Sequence, residues 1–127
     1  MMEHNRRKTG TAQEKLAAAF LADHGFRVVE TNYRCSQAEI DLIGYDQDTL
    51  VFAEVKYRSG SQSGYPQEAV TQAKQRRISR AAARYLCTHP EAAQGKIRFD
   101  VVALMPAGQG REYIQWIKDA FTYSGRN

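Results

Sequence analysis

The feature that most constrains this chain is a hairpin whose apolar strands carry charge. Residues 38 to 58 read AEIDLIGYDQDTLVFAEVKYR, two β-forming runs around a polar turn, with Asp41, Glu54 and Lys56 inside the runs. An ionised side chain on a buried strand face loses its hydration, and a partner, a metal or a shifted pKa must offset that loss. Side chains alternate across a strand, so Glu54 and Lys56 share a face with Leu50 and Phe52, and Asp41 shares one with Ile43 and Tyr45. The loop decides whether the two sets meet. A two-residue loop, Gln47 and Asp48, pairs Asp46 with Thr49, Ile43 with Phe52 and Asp41 with Glu54. A three-residue loop, Asp46 to Asp48, sets Asp41 against Ala53 and turns the two acids to opposite faces. Gln-Asp lacks the glycine that two-residue hairpins prefer, so the residues leave both registers open. In the first, two facing acids suit a divalent cation. The plainer alternative is a pair of exposed acids neutralised by Lys56 or Arg58.

The frame around the hairpin is that of one domain. The chain has 127 residues, 43% of them hydrophobic, which is enough for a single core. Residues 1 to 9 read as a basic arm, 10 to 122 as the domain and 123 to 127 as a tail. The longest apolar run, LAAAFLA, falls far short of the ~20 residues of a membrane helix, and no apolar segment follows the basic start as a signal peptide requires. The expected setting is cytoplasmic, without a membrane. Cys35 and Cys87 form no C-x-x-C pair and no zinc spacing with the three histidines, so reduced thiols are expected. Eighteen Lys and Arg against fourteen Asp and Glu, net +4, favour polyanionic partners.

The remaining segments alternate in type. Residues 12 to 24 read as a helix stopped by Gly25, 26 to 31 as a strand, and 59 to 66 as a loop. Residues 67 to 87 read as a second helix, 97 to 105 as a strand, PAGQG as a turn, and 111 to 118 as a last strand. The order is α-β-β-β-α-β-β, an α/β sheet flanked by helices.

Both helices carry candidate site residues. Glu14 lies at the edge of the first helix's apolar face, within reach of the sheet, but Thr11-Ala-Gln-Glu14 is also a capping box. In the second helix Arg76, Arg77, Arg80 and Arg84 fall within an arc of about 100°. Such a stripe is either a solvated face or a phosphate-binding one. Lys74 aligns instead with Ile78, Ala81 and Tyr85, and Gln67 and Thr71 precede it, so the first turns point polar groups inward, either toward Glu54 or past the helix end.

Asp41, then Glu54-Val55-Lys56 on the next strand, with Glu14 on the preceding helix, resembles the restriction-endonuclease-like fold with its D…(D/E)-x-K signature. More closely, GTAQE, AEIDLI, VFAEVKYR, Lys74, RFDVVAL and IQWIKDAF together resemble the YraN family of small bacterial proteins, from about Gly10 to Phe121. Ala38 and Ala53 depart from the family pattern without removing a proposed ligand. No proline precedes Asp41, and no Gln-x-x-x-Tyr follows Lys56, which argues against the exonuclease branch.

The resemblance implies a Holliday-junction-resolvase-like endonuclease. Asp41, Glu54 and the carbonyl of Val55 would ligate Mg²⁺ or Mn²⁺, Glu14 would complete or orient that shell, and Lys56 would hold the attacking water. Lys74 and the four arginines would hold the backbone of nucleic acid, DNA favoured. A two-fold homodimer is expected if branched DNA is the target. The rival readings are a non-catalytic nucleic-acid-binding module of the same fold and a protein-interaction domain.

Overall fold

A computed structural model describes residues 11 to 36, 38 to 57 and 70 to 123. The chain runs α1 (Ala12–Asp23), β1 (Phe26–Cys35), β2 (Ala38–Asp46), β3 (Thr49–Tyr57), α2 (Gln72–Thr88), a short 3₁₀ turn (Ala92–Gln94), β4 (Lys96–Gly108) and β5 (Arg111–Phe121). The strands form one mixed sheet in sequence order, β3 parallel to β4 and every other pair antiparallel. This is the α-β-β-β-α-β-β order that the periodicity predicts.

Each face of the sheet packs under one helix. Ala17 and Leu21 of α1 meet Phe26, Leu42, Val51, Ala53, Val102 and Leu104. Ile78, Ala81, Ala82 and Tyr85 of α2 meet Ile40, Ile43, Leu50, Phe52, Phe99 and Val101 on the other face. Strand alternation produces the division, since Leu42 and Ile43 are neighbours in sequence and serve different cores. On the α1 side a Cβ at Gly44 would collide with the carbonyl of Arg27 and the ring of Phe26, which explains a glycine in mid-strand.

The β2–β3 turn takes the two-residue form, with Asp46 opposite Thr49 and Ile43 opposite Phe52. Gln47 adopts φ 59°, the left-handed value usually left to glycine at the first turn position. The β4–β5 hairpin closes through Gln109 and Gly110, both at positive φ, so PAGQG is mostly strand.

Other boundaries move for local reasons. α2 starts at Gln72 and not at 67, because the Thr71 hydroxyl accepts from the Lys74 amide at 3.1 Å and caps the helix there. β1 continues past 31 to Cys35 by absorbing a bulge between Val28 and Glu30 and a left-handed Asn32 at φ 53°. The expected basic arm, the 59–66 loop, Arg58 and Gln67 lie outside the described residues, as do residues 124 to 127 of the expected tail.

Candidate functional site

The β2–β3 ladder runs from Asp46 opposite Thr49 to Leu42 opposite Ala53. One step further, the side chain of Asp41 takes the place of a backbone rung: its Oδ2 accepts from the amide of Val55 at 2.8 Å. The strands are thus joined through a carboxylate at this end, and Asp41 and Glu54 face each other on the α2 side. Both are buried, at 9% and 5% exposure.

Burial pushes the Asp41 carboxyl up to about 9, and the neighbouring Glu54, Glu14 and Glu39 add to that rise against the Val55 amide. Glu54 is raised by burial too, while Lys74 and a hydrogen bond from Asp41 pull it back. Without a cation the pair is best described as sharing a proton.

Lys74 enters from the first turn of α2, its Nζ 2.9 Å from Glu54 Oε2. Burial lowers its pKa, but Glu54 and then Asp41 outweigh burial and hold the ammonium above its ordinary value. The inward-facing polar turn expected there is present at Lys74. Lys56 is half-buried on the same strand face and close enough to draw the Glu54 pKa down.

Glu14 belongs to both readings that the sequence allows. The capping box forms, with Glu14 N to Thr11 Oγ1 at 3.1 Å and Thr11 N to Glu14 Oε1 at 3.0 Å. The same Oε1 accepts from Asn32 Nδ2 at 3.0 Å. Although α1 packs on the face opposite α2, its first turn brings Glu14 to the acidic end of the sheet. Carboxylate oxygens of Glu14, Glu39 and Asp41 lie within 4.8 Å of one another, a group able to hold a metal ion.

Glu39 and Asn32 are the residues that sequence reasoning missed. Glu39 precedes Ile40, which packs in the α2 core, so it turns to the α1 side with Glu14, and the break in alternation between Ile40 and Ile43 that brings it near Asp41 is not visible in the sequence pattern. Asn32 Nδ2 bridges Glu14 and Glu39, the latter at 3.1 Å, and Arg34 pairs with Glu39 at 3.4 Å. Nothing local marks Asn32, whose placement depends on the β1 irregularity.

The arginine stripe divides. Arg77, Arg80 and Arg84, all exposed, line a groove of about 400 Å³ with Cys35, Ser36 and Ala38, and Arg34 lines an adjoining one with Arg84. Arg76 is exposed but does not line this groove. From Lys74 at the acids to Arg84, α2 rises about 15 Å. A row of cations therefore leads away from Glu54 along one helix.

On the α1 face of the sheet, one strand over and opposite Ala53, lies a second buried acid with a different character. Asp100 is fully buried and accepts from Arg98 Nε and Nη2, both at 2.9 Å, from Trp116 Nε1 at 2.8 Å and from the Asp119 amide at 2.9 Å. Arg98 also donates to Asp46 at 2.8 Å. Four donors satisfy this carboxylate, and it fixes the bulge where Asp100 stands between the Phe99 and Val101 pairings. The Asp of RFDVVAL is thereby given a structural role. The Asp41–Glu54 pair, by contrast, sets acid against acid.

Fold and site together define a small α/β domain with carboxylates and lysines gathered where two central strands part. The chain belongs to the uncharacterised protein family UPF0102, whose model matches residues 13–104, a span holding every site residue named above. A UPF0102 protein of Alcanivorax borkumensis is 44% identical over 117 residues, covering 92% of this chain and 94% of the relative. One of Syntrophus aciditrophicus is 46% identical over 114 residues, 90% and 88% of the two chains. Among solved structures, SfsA of Pyrococcus furiosus, determined in complex with Ca²⁺, aligns over 83% of this chain and 60% of its own, with 11% identity and a TM-score of 0.32. No helix among the described residues is long and apolar enough to cross a membrane.

Proposed function

We propose that this chain is a metal-dependent endonuclease that hydrolyses phosphodiester bonds of nucleic acid, with DNA, including branched or damaged forms, as the favoured substrate in the cytoplasm. The observation that carries the reading is the buried Asp41–Glu54 pair bordered by Lys56 and Lys74. A structural ion pair needs one acid, whereas two facing acids in a low-dielectric cleft call for a cation.

The donor set is all oxygen, carboxylates with one backbone carbonyl, which fits hard ions such as Mg²⁺ or Mn²⁺ and not zinc. Asp41, Glu54 and the carbonyl of Val55 would hold the ion, with Glu14 and Glu39 beside them. Such an ion supplies Lewis-acid polarisation of a phosphate and a more acidic water. Lys56 orients the attacking water and counters charge developing on the phosphate. Asn32 fixes Glu14 and Glu39 so that they order water at the edge of the site. Lys74 holds Glu54 in place, while Arg77, Arg80 and Arg84 hold the backbone without reading bases.

The groove also supports a second reading, a binding module of the same fold, because arginines alone suffice for phosphate affinity. One experiment separates the two. Wild-type protein is assayed for cleavage and gel shift on branched, flapped, single-stranded and linear duplex DNA, with Mg²⁺ and with Mn²⁺. The nuclease reading expects cleavage that Asp41→Ala and Glu54→Ala abolish while binding persists or strengthens. Binding without cleavage on every substrate and with either metal leaves the module.

A further inference from the structure

The two edges of the sheet are unlike. β1 is interrupted by its bulge and by Asn32, devices that keep an edge from pairing. β5 carries the same devices at its far end, a bulge opposite Asp100 and Asp119 at φ 57°, but before them it is regular over six residues, Glu112 to Ile117, each matched in turn to Pro106 through Val101. Among the described residues it pairs with β4 alone. Its centre is Tyr113-Ile114-Gln115-Trp116-Ile117, with Tyr113 55% exposed and the other four half-buried. A regular apolar edge of this kind is a template for another strand.

The sequence of β5 specifies which strand. In a two-fold antiparallel pair, opposed residues share a face, so the sum of their numbers must be even. Placing Ile114 opposite itself sets Arg111 against Ile117 and Glu112 against Trp116. Placing Trp116 opposite itself sets Ile114 against Lys118 and Tyr113 against Asp119. Only Gln115 opposite itself matches like with like: Ile114 with Trp116, Tyr113 with Ile117, and Glu112 with Lys118, which directly follows the regular run. Symmetry makes each pair twice, so two ion pairs flank the centre. Glu112 and Lys118 are both exposed in the single chain.

We infer that β5 is a self-recognition edge, and that two copies of this chain join there, Gln115 to Gln115, into one ten-stranded sheet. The inference rests on the edge and its charges, independently of the nuclease reading. Lys118 now lies 3.1 Å from Asp46 and 4.3 Å from the centre of the Trp116 ring. In the dimer it stands between Asp46 and Glu112 of the second copy.

Charge reversal tests both the surface and the register. Sedimentation velocity over a concentration series should show wild-type dimers. Glu112→Lys sets lysine against Lys118 in both symmetry copies, and Lys118→Glu sets glutamate against Glu112. Each should weaken dimerisation by about tenfold. An equimolar mixture of the two variants makes both pairs complementary again and should restore dimers. Should Lys118→Glu fail to fold for want of a cation at Asp46, Lys118→Gln, which removes the pairing cation without setting an acid beside Asp46, replaces it as the second loss variant, and loss in both variants then supports the proposal. A wild type that stays monomeric at its highest soluble concentration overturns it. So does a dimer indifferent to these reversals, or a mixture of folded variants that fails to recover.

Discussion

Burial inverts the ordinary behaviour of Asp41. An exposed aspartate is ionised above pH 4, whereas this one is pushed up to about 9, first by burial and then by Glu54. An acid whose folded pKa lies above its unfolded value favours the fold fully at pH below the unfolded pKa, near 3.8. That contribution is lost progressively as pH rises from there to about 9. Metal-free protein should therefore lose stability across this window. Asp41→Asn keeps the hydrogen-bonding shape without the charge, so it should flatten the decline and stabilise metal-free protein at pH 8 by about 1–3 kcal/mol. Thermal melts from pH 4 to 9, with and without Mg²⁺, check both statements. A decline as steep in Asp41→Asn as in wild type would place the titration elsewhere. At this scale Asp41, Glu54 and Lys56 are legible because charge breaks a strand pattern, and that signal depends only on neighbours two residues apart. Glu39 escapes it, because the strand breaks its alternation between Ile40 and Ile43. Asn32 escapes it too, because its part depends on a left-handed kink that brings it between carboxylates from two other elements.

On the proposed reading, elements separate phosphate affinity from scaffold. Arg77 and Arg80 line the groove with Cys35, Ser36 and Ala38 and Arg76 does not, so the stripe should be functionally unequal although its members share one helix face. Each lost phosphate contact lowers the log-log salt slope of binding by about 0.7–0.9. Arg77→Ala with Arg80→Ala should flatten it by about twice that, and Arg76→Ala should leave it unchanged, as fluorescence anisotropy from low to moderate salt would measure. Equal effects from all three would mean a diffuse basic surface. Asp100 is the scaffold counterpart. Its removal strands Arg98 and Trp116 without their acceptor and frees the bulge, so Asp100→Ala should cost about 3–5 kcal/mol in urea unfolding while leaving Mn²⁺ affinity intact. Element types and order follow from periodicity, and their ends do not. The start of α2 is fixed by a Thr71 hydroxyl, and the hairpin register depends on Gln47 tolerating a glycine conformation. Each is a local choice between states of similar energy, settled by packing elsewhere.

The two-fold inferred at Gln115 stands perpendicular to the sheet, so the α2 faces of both copies, and with them both acidic ends, lie on one side of the molecule. The separation of the sites follows from the register. Strands are spaced about 4.8 Å apart, which puts β3 and the β2–β3 cleft about 12–14 Å from the axis. Glu54 aligns across the sheet with Val101 and Ile117, two residues from Gln115, an offset of roughly 7 Å along the strand. The two sites are then roughly 30 Å apart and point in opposite strand directions. On the proposed nuclease reading a single copy carries one nicking site, whereas this arrangement offers two antiparallel ones to a substrate lying across a shared face. Pulsed electron spin resonance on Mn²⁺-loaded protein reads the distance directly, with a single peak near 30 Å expected. Glu112→Lys should abolish that peak while leaving Mn²⁺ affinity unchanged, and Asp41→Ala should abolish affinity and peak together while leaving the sedimenting dimer. Loss of affinity alone would implicate the acids, and a peak at a different distance would implicate another surface. The symmetry of one edge strand thereby decides how a site built at the opposite side of the sheet meets its substrate.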